Sequence, residues 1–143
     1  MRYLLIVVAF LSLLIIAGCN RLPQYPDPLI KDNTVVINTH ELKEKTPEFY
    51  TIDLNGGKAN FFVLKISGKI ESYFDACVRC FKDKKGYRAE NRSIVCRSCG
   101  VTYPLDILKD GFGSCHPVQL PGEIRGDQYI ISLDEIKKGT KYF

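Results

Sequence analysis

Residues 50–74 read YTIDLNGGKANFFVLKISGKIESYF, and their periodicity decides the fold. Tyr50, Ile52 and Leu54 alternate with Thr51 and Asp53, which is the period of a half-buried strand. Asn55-Gly56-Gly57 then reads as a hairpin turn. The return strand carries Phe62, Leu64 and Ile66 on one face with Lys65 opposite. Ser67-Gly68-Lys69 turns again into residues 70–74. Three antiparallel strands in a meander result, and their apolar faces are core rather than ligand site. The expected class is α+β: a small antiparallel β-meander with short helices and, around Cys77-Val78-Arg79-Cys80 and Cys96-Arg97-Ser98-Cys99, a cysteine-knuckle, zinc-ribbon-like lobe.

Before the meander, Val35, Val36 and Ile37 form a short β-branched strand. Asn38 with Glu41 is expected to cap one helical turn through Lys45, stopped by Pro47. After it, Tyr87-Arg88 and Ser93-Ile94-Val95 read as a small hairpin turning at Glu90-Asn91. Pro117 and Pro121 suggest loop. Residues 128–132 form a last strand, and Ser132 to Glu135 is a capping box that opens a short helix closed by Gly139. Tyr142 and Phe143 are expected to pack back on the domain.

Chemistry concentrates in the second half. Cys77-Val78-Arg79-Cys80 is followed, after 15 residues, by Cys96-Arg97-Ser98-Cys99-Gly100. Two CxxC pairs at that separation signal a metal site. Each pair turns tightly and aims two sulfurs at one point, and Gly100 permits the left-handed turn such a knuckle needs. Four thiolates then surround Zn²⁺ or Fe, or hold an iron–sulfur cluster. On a single metal they would stand about 3.5 to 4 Å apart, given metal–sulfur bonds of about 2.3 Å, and a polynuclear cluster allows wider spacing. From Cys77 to Cys99 seven basic residues oppose two acidic ones, +5, and this positive shell favours thiolate. Phe81 and Gly100 follow the two pairs where c-type haem attachment needs histidine. No βαβ pattern surrounds them, which disfavours a thioredoxin-type motif. Disulfides compete with metal in an oxidising compartment. Gly111-Phe112-Gly113-Ser114-Cys115-His116-Pro117 adds a fifth thiol on a glycine-flanked loop, so Cys115 is a further candidate ligand, with His116 as a second candidate beside it. His40 stands without a partner and reads as surface.

The other end of the chain concerns location. Arg2 precedes residues 3–18, which carry no charge, the n- and h-regions of a signal peptide. Ile16-Ala17-Gly18-Cys19 resembles the lipobox of bacterial lipoproteins, which places lipidation on Cys19. The alternative is an uncleaved signal anchor. The expected organisation is a signal peptide at 1–18, lipidated Cys19 with a Pro-rich tether through residue 33, and one metal-binding domain at 34–143. Arg2 has no arginine neighbour, so export of an already folded, cofactor-loaded protein by the twin-arginine route is disfavoured. With 143 residues, 45% of them hydrophobic and 25% charged, the chain is too short for a multidomain enzyme and too apolar to be disordered. Export argues against nucleic acid as a partner. No acid/base pair or activated nucleophile appears, so neither a hydrolase nor a transferase is expected.

FDACVRC at 74–80, KKGYRAENRSIVCRSCGVTYPLDIL at 84–108 and GSCHPVQLP at 113–121 together resemble the C-terminal domain of the FtrD-like membrane iron–sulfur proteins. The likeness runs from about Phe49 to the final KKGTKYF. It implies an iron–sulfur cluster or iron at Cys77, Cys80, Cys96 and Cys99, with Cys115 as a further candidate; Zn²⁺ is the alternative that the cysteine spacing leaves. It also implies iron uptake or electron transfer in the cell envelope, beside an iron permease or a redox partner. The family commonly has several membrane helices ahead of this domain, and asparagine where this chain has His116. The rival readings are a structural zinc ribbon, whose metal only holds the fold, and a thiol–disulfide protein.

Overall fold

The computed structural model describes residues 22–110 and 113–143. The expected signal peptide, Cys19, and Gly111 of the cysteine loop lie outside the described residues. The strands, in chain order, are β1 (Leu29–Lys31), β2 (Thr34–Asn38), β3 (Glu48–Leu54), β4 (Gly57–Ile66), β5 (Lys69–Cys77), β6 (Tyr87–Glu90), β7 (Ser93–Cys96), β8 (Thr102–Pro104), β9 (Pro117–Leu120), β10 (Glu123–Arg125) and β11 (Gln128–Ser132). A short α-helix, Leu133–Lys138, follows β11. The strands form three sheets, with orders β1-β2-β11-β10, β3-β4-β5-β9 and β6-β7-β8, and all their ladders are antiparallel.

The expected meander is β3-β4-β5. Leu54 pairs with Gly57 across the two-residue turn Asn55-Gly56. Ile66 pairs with Lys69 across Ser67-Gly68, both with positive φ, the geometry that matches strand twist in a tight hairpin. One feature of β4 exceeds the alternation read from sequence: both of its faces are buried. Ala59, Phe61 and Val63 join a core with Val35, Ile37, Tyr129, Ile131 and Ile136. Phe62 and Leu64 join a second core with Tyr73, Tyr87, Ile94, Cys96 and Tyr103. The middle sheet therefore lies between the first sheet and the cysteine lobe. Phe61 and Phe62 are fully buried on opposite faces, each contributing about 2 to 3 kcal/mol of apolar burial.

Several local expectations change. A single hydrogen-bonded turn follows Asn38, the Glu41 N–H donating to its carbonyl at 3.2 Å, and no helix continues to Lys45. Asn38 Oδ1 accepts from the His40 N–H at 3.0 Å, and its Nδ2 donates to Glu41 at 3.0 Å. Asn38 thus caps that one turn in the manner of an N-cap, and the chain beyond it plugs Leu42 into the core. The β6–β7 hairpin turns one residue later than expected, at Asn91-Arg92, with Glu90 opposite Ser93. Pro117 does not enforce loop. It opens β9, a position where a missing N–H is tolerated. Ser132 caps the helix as expected, accepting from the Asp134 N–H at 3.2 Å, while Glu135 pairs with Lys138 rather than reaching back. Tyr142 and Phe143 do pack on Phe74, at 5.8 and 6.3 Å between ring centres.

The segment read as a tether is built into the fold from Pro23 onward. Leu29–Lys31 is β1, paired with β2. Ahead of it, the chain lies across the middle sheet: the Pro23 carbonyl accepts from Asn60 Nδ2 at 2.6 Å, the Tyr25 N–H donates to Thr51 Oγ1 at 2.9 Å, and the Pro26 carbonyl accepts from the Thr51 N–H at 3.2 Å. Buried Thr51 and Asn60 bond each other, Thr51 Oγ1 donating to Asn60 Oδ1 at 2.9 Å, and the strap takes up the N–H groups that remain.

Candidate metal centre

Each cysteine is placed by a strand end. Cys77 closes β5 and Cys96 closes β7. A knuckle follows each. The Cys80 N–H points at Cys77 Sγ, 3.4 Å away. In the second knuckle the Gly100 N–H donates to the Cys96 carbonyl at 2.9 Å, and Gly100 takes φ +74°, as its position in the sequence required. Cys115 arrives from elsewhere in the chain. Pairing of Pro117 with Cys77 and a bond from the Val78 N–H to the His116 carbonyl, 3.2 Å, lay its strand alongside the first knuckle.

The five cysteines among the described residues are free thiols. The sets whose sulfurs all lie within 4.8 Å of one another, among the described residues, are Cys77-Cys80-Cys96 and Cys80-Cys99-Cys115. The knuckle sulfurs thus converge, but as two triads sharing Cys80 and not as the single set of four expected for one metal. The fifth cysteine belongs to the second triad, with its Sγ 4.0 Å from that of Cys80. Cys77, Cys96 and Cys115 are buried and Cys99 is exposed, so the centre has one solvent-facing corner. No carboxylate or imidazole belongs to either triad. His116 stays outside both, with Nδ1 3.3 Å from the Pro117 carbonyl. His40 is exposed and pairs with Asp127.

The thiols are not equivalent. Burial pushes Cys77 up, but the N–H groups of Arg79 and Cys80 outweigh it and hold its thiol below the ordinary value. The Val101 N–H does the same for Cys99. Burial pushes Cys96 up to about 11, and raises Cys80 and Cys115 as well, helped by neighbouring thiols. Backbone N–H groups thus lower two of the thiols, one in each triad. The donor set is all sulfur, partly shielded and served by N–H donors, which fits a thiophilic metal or an iron–sulfur group.

A frame of residues the sequence reading did not single out holds the site. The Tyr87 hydroxyl donates to the Cys115 carbonyl at 2.6 Å, and the Cys115 N–H donates to the Tyr103 hydroxyl at 3.0 Å. Asp75, 1% exposed, accepts from the Tyr87 N–H at 2.6 Å and from the Tyr25 hydroxyl at 3.2 Å. Burial raises its carboxyl to about 7, against those two hydrogen bonds and the charge of Arg97. Arg97 Nε in turn donates to the Tyr87 carbonyl at 2.8 Å. Gly86 lies against the Asp75 carboxylate with φ +63°, and a Cβ there would stand 2.4 Å from Oδ2. The signal for Asp75 was present in the sequence: a charge inside the otherwise apolar strand Tyr73-Phe74-Asp75-Ala76.

The model of a protein family described as "Membrane iron-sulfur containing protein FtrD-like" matches residues 42–143, and the chain belongs to that family. No curated protein matches it at a significant level. Among the described residues, no helix is long and apolar enough to cross a membrane.

Proposed function

We propose that this FtrD-like chain is a lipid-anchored, extracytoplasmic protein that carries an iron–sulfur centre on Cys77, Cys80, Cys96, Cys99 and Cys115, for iron uptake or electron transfer. The observation that carries the reading is the fifth thiol. A structural zinc site is closed by four ligands, so a buried Cys115 at 4.0 Å from Cys80 has no purpose in a zinc ribbon. A polynuclear centre uses wider sulfur spacing, and two triads sharing one corner supply it. When bound, such a centre supplies one-electron redox chemistry.

The residues of the chain do the rest. N–H groups of Arg79, Cys80 and Val101 stabilise thiolate on Cys77 and Cys99. Tyr87 and Tyr103 clamp Cys115 from both sides of its backbone. Ile94, Leu105 and Leu108, all buried in the same core, exclude water from behind the sulfurs. Exposed Cys99 leaves one edge open to a partner, an iron permease or a redox protein.

The test is composition and spectrum of the full chain purified anaerobically in detergent. The expected result is iron with acid-labile sulfide and a visible absorption that bleaches on reduction. One zinc per chain and no colour would install the structural zinc ribbon instead. Absence of metal, with disulfides found by mass spectrometry, would make it a thiol–disulfide protein.

A further inference from the structure

The strap and the cysteine lobe occupy the same face of the middle sheet. Along the strap, Tyr25 stacks on Phe49 at 5.0 Å, and Phe49 meets Phe62 at 5.1 Å. Phe62 also meets Tyr87 of the lobe at 6.5 Å. The Tyr25 hydroxyl reaches Asp75, two residues before Cys77, and Arg97 of the second knuckle acts on the same Tyr25. The point at which the chain joins the domain is therefore beside the knuckles.

That point is on a short leash. The first anchoring contact is Pro23 to Asn60. Four peptide units separate Cys19 from Pro23, a span of at most about 14 Å. On either reading of residues 3–18, lipobox or signal anchor, Cys19 sits at the bilayer surface. The strap thus holds the knuckle side close to the headgroups. This side is also the basic one. Lys82, Lys84, Lys85 and Arg97 are exposed. Lys84 and Lys85 immediately precede Gly86, which lies against Asp75, and Ser98 of the second knuckle hydrogen-bonds Asp83 between Lys82 and Lys84. Residues 77–99 carry +5, whereas the rest of the chain from Cys19 onward sums to −2. A cationic cluster held near a bilayer by its own leash meets a matching surface in anionic phospholipid.

We infer that the knuckle lobe is the bilayer-facing side of the domain, with Lys82, Lys84, Lys85 and Arg97 resting on anionic lipid headgroups. The inference rests on the anchoring reading and is independent of which metal is bound. It places exposed Cys99 toward the membrane, so the partner of the centre is embedded in, or lies flat on, the same bilayer. Each cation near such a surface changes the docked population about fivefold, so three neutralised lysines reduce it about 100-fold.

The experiment uses the full chain in liposomes of phosphatidylcholine, with and without phosphatidylglycerol, read by hydrogen–deuterium exchange. The expected result is protection of residues 81–99 on the anionic bilayer only, removed by salt and by Lys82→Gln/Lys84→Gln/Lys85→Gln together. Arg97 is left intact because it also bonds the Tyr87 carbonyl. A circular dichroism spectrum matching the parent shows that the triple variant is folded. If the chain floats with the liposomes but residues 81–99 exchange equally on both bilayers, the anchor stands and the inference is overturned, leaving the cations to a soluble acidic partner. If the chain does not float with either, the anchoring fails, and the leash with it, and the inference is likewise overturned.

Discussion

Gly86→Ala tests the frame beneath the metal centre more sharply than removing a ligand does. Two costs fall on this one methyl group. The first is backbone strain: Gly86 has φ +63°, and an L-residue in the left-handed region loses about 1 to 2 kcal/mol. The second is collision: the new Cβ would lie 2.4 Å from Asp75 Oδ2 and 2.6 Å from Oδ1 and Cγ. Asp75 cannot swing aside freely, because its oxygens hold the Tyr87 N–H and the Tyr25 hydroxyl. Overpacking of this kind costs about 1 to 3 kcal/mol more. Gly100→Ala is the matched control, since Gly100 has φ +74° but nothing within 4 Å of its Cβ, so it carries the strain alone. Each kcal/mol moves the melting temperature by about 4 °C at this chain length. Thermal unfolding of the two variants in the same metal-loaded state should therefore differ by about 4 to 12 °C, with Gly86→Ala the less stable. Equal melting temperatures would refute the claim that Asp75 is a rigid strut under the lobe.

Three further outcomes are expected. Asp75→Ala strands the Tyr87 N–H and the Tyr25 hydroxyl and should cost about 2 to 4 kcal/mol; a double-mutant cycle with Tyr25→Phe, measured by denaturant unfolding, should show coupling of at least about 0.5 kcal/mol. Cys115→Ser should lower iron content or shift the reduction potential, read by metal analysis and redox titration, because ligand identity tunes both; unaltered content, spectrum and potential would return the site to four ligands. Cys19→Ala should abolish acyl labelling in cells, and persistent labelling would leave residues 3–18 as a signal anchor.

The meander, the last strand, the helix cap and the cysteine knuckles were all legible in local sequence, because each depends on contacts a few residues apart. Strand alternation, Asn-Gly and Ser-Gly turns, Ser132 before an acidic first turn, and CxxC followed by glycine are rules of the nearest neighbours. The family likeness was legible for the same reason, since its motifs are short and contiguous. What the tertiary structure alone decided depends on which distant segments meet. Alternation in β4 exposes one apolar face per strand, yet both faces are buried, because a second lobe covers the side that a lone meander would leave wet. Pro117 looked like loop until Cys77 supplied a partner strand with no need of its missing N–H. Asp75 reads as an isolated charge until Tyr25 and Tyr87, 50 and 12 residues away, reach its two oxygens. The grouping of five sulfurs into two triads around Cys80 is likewise a matter of long-range register: spacing along the chain shows which thiols can form a knuckle, but only the pairing of β5 with β9 brings Cys115 between them.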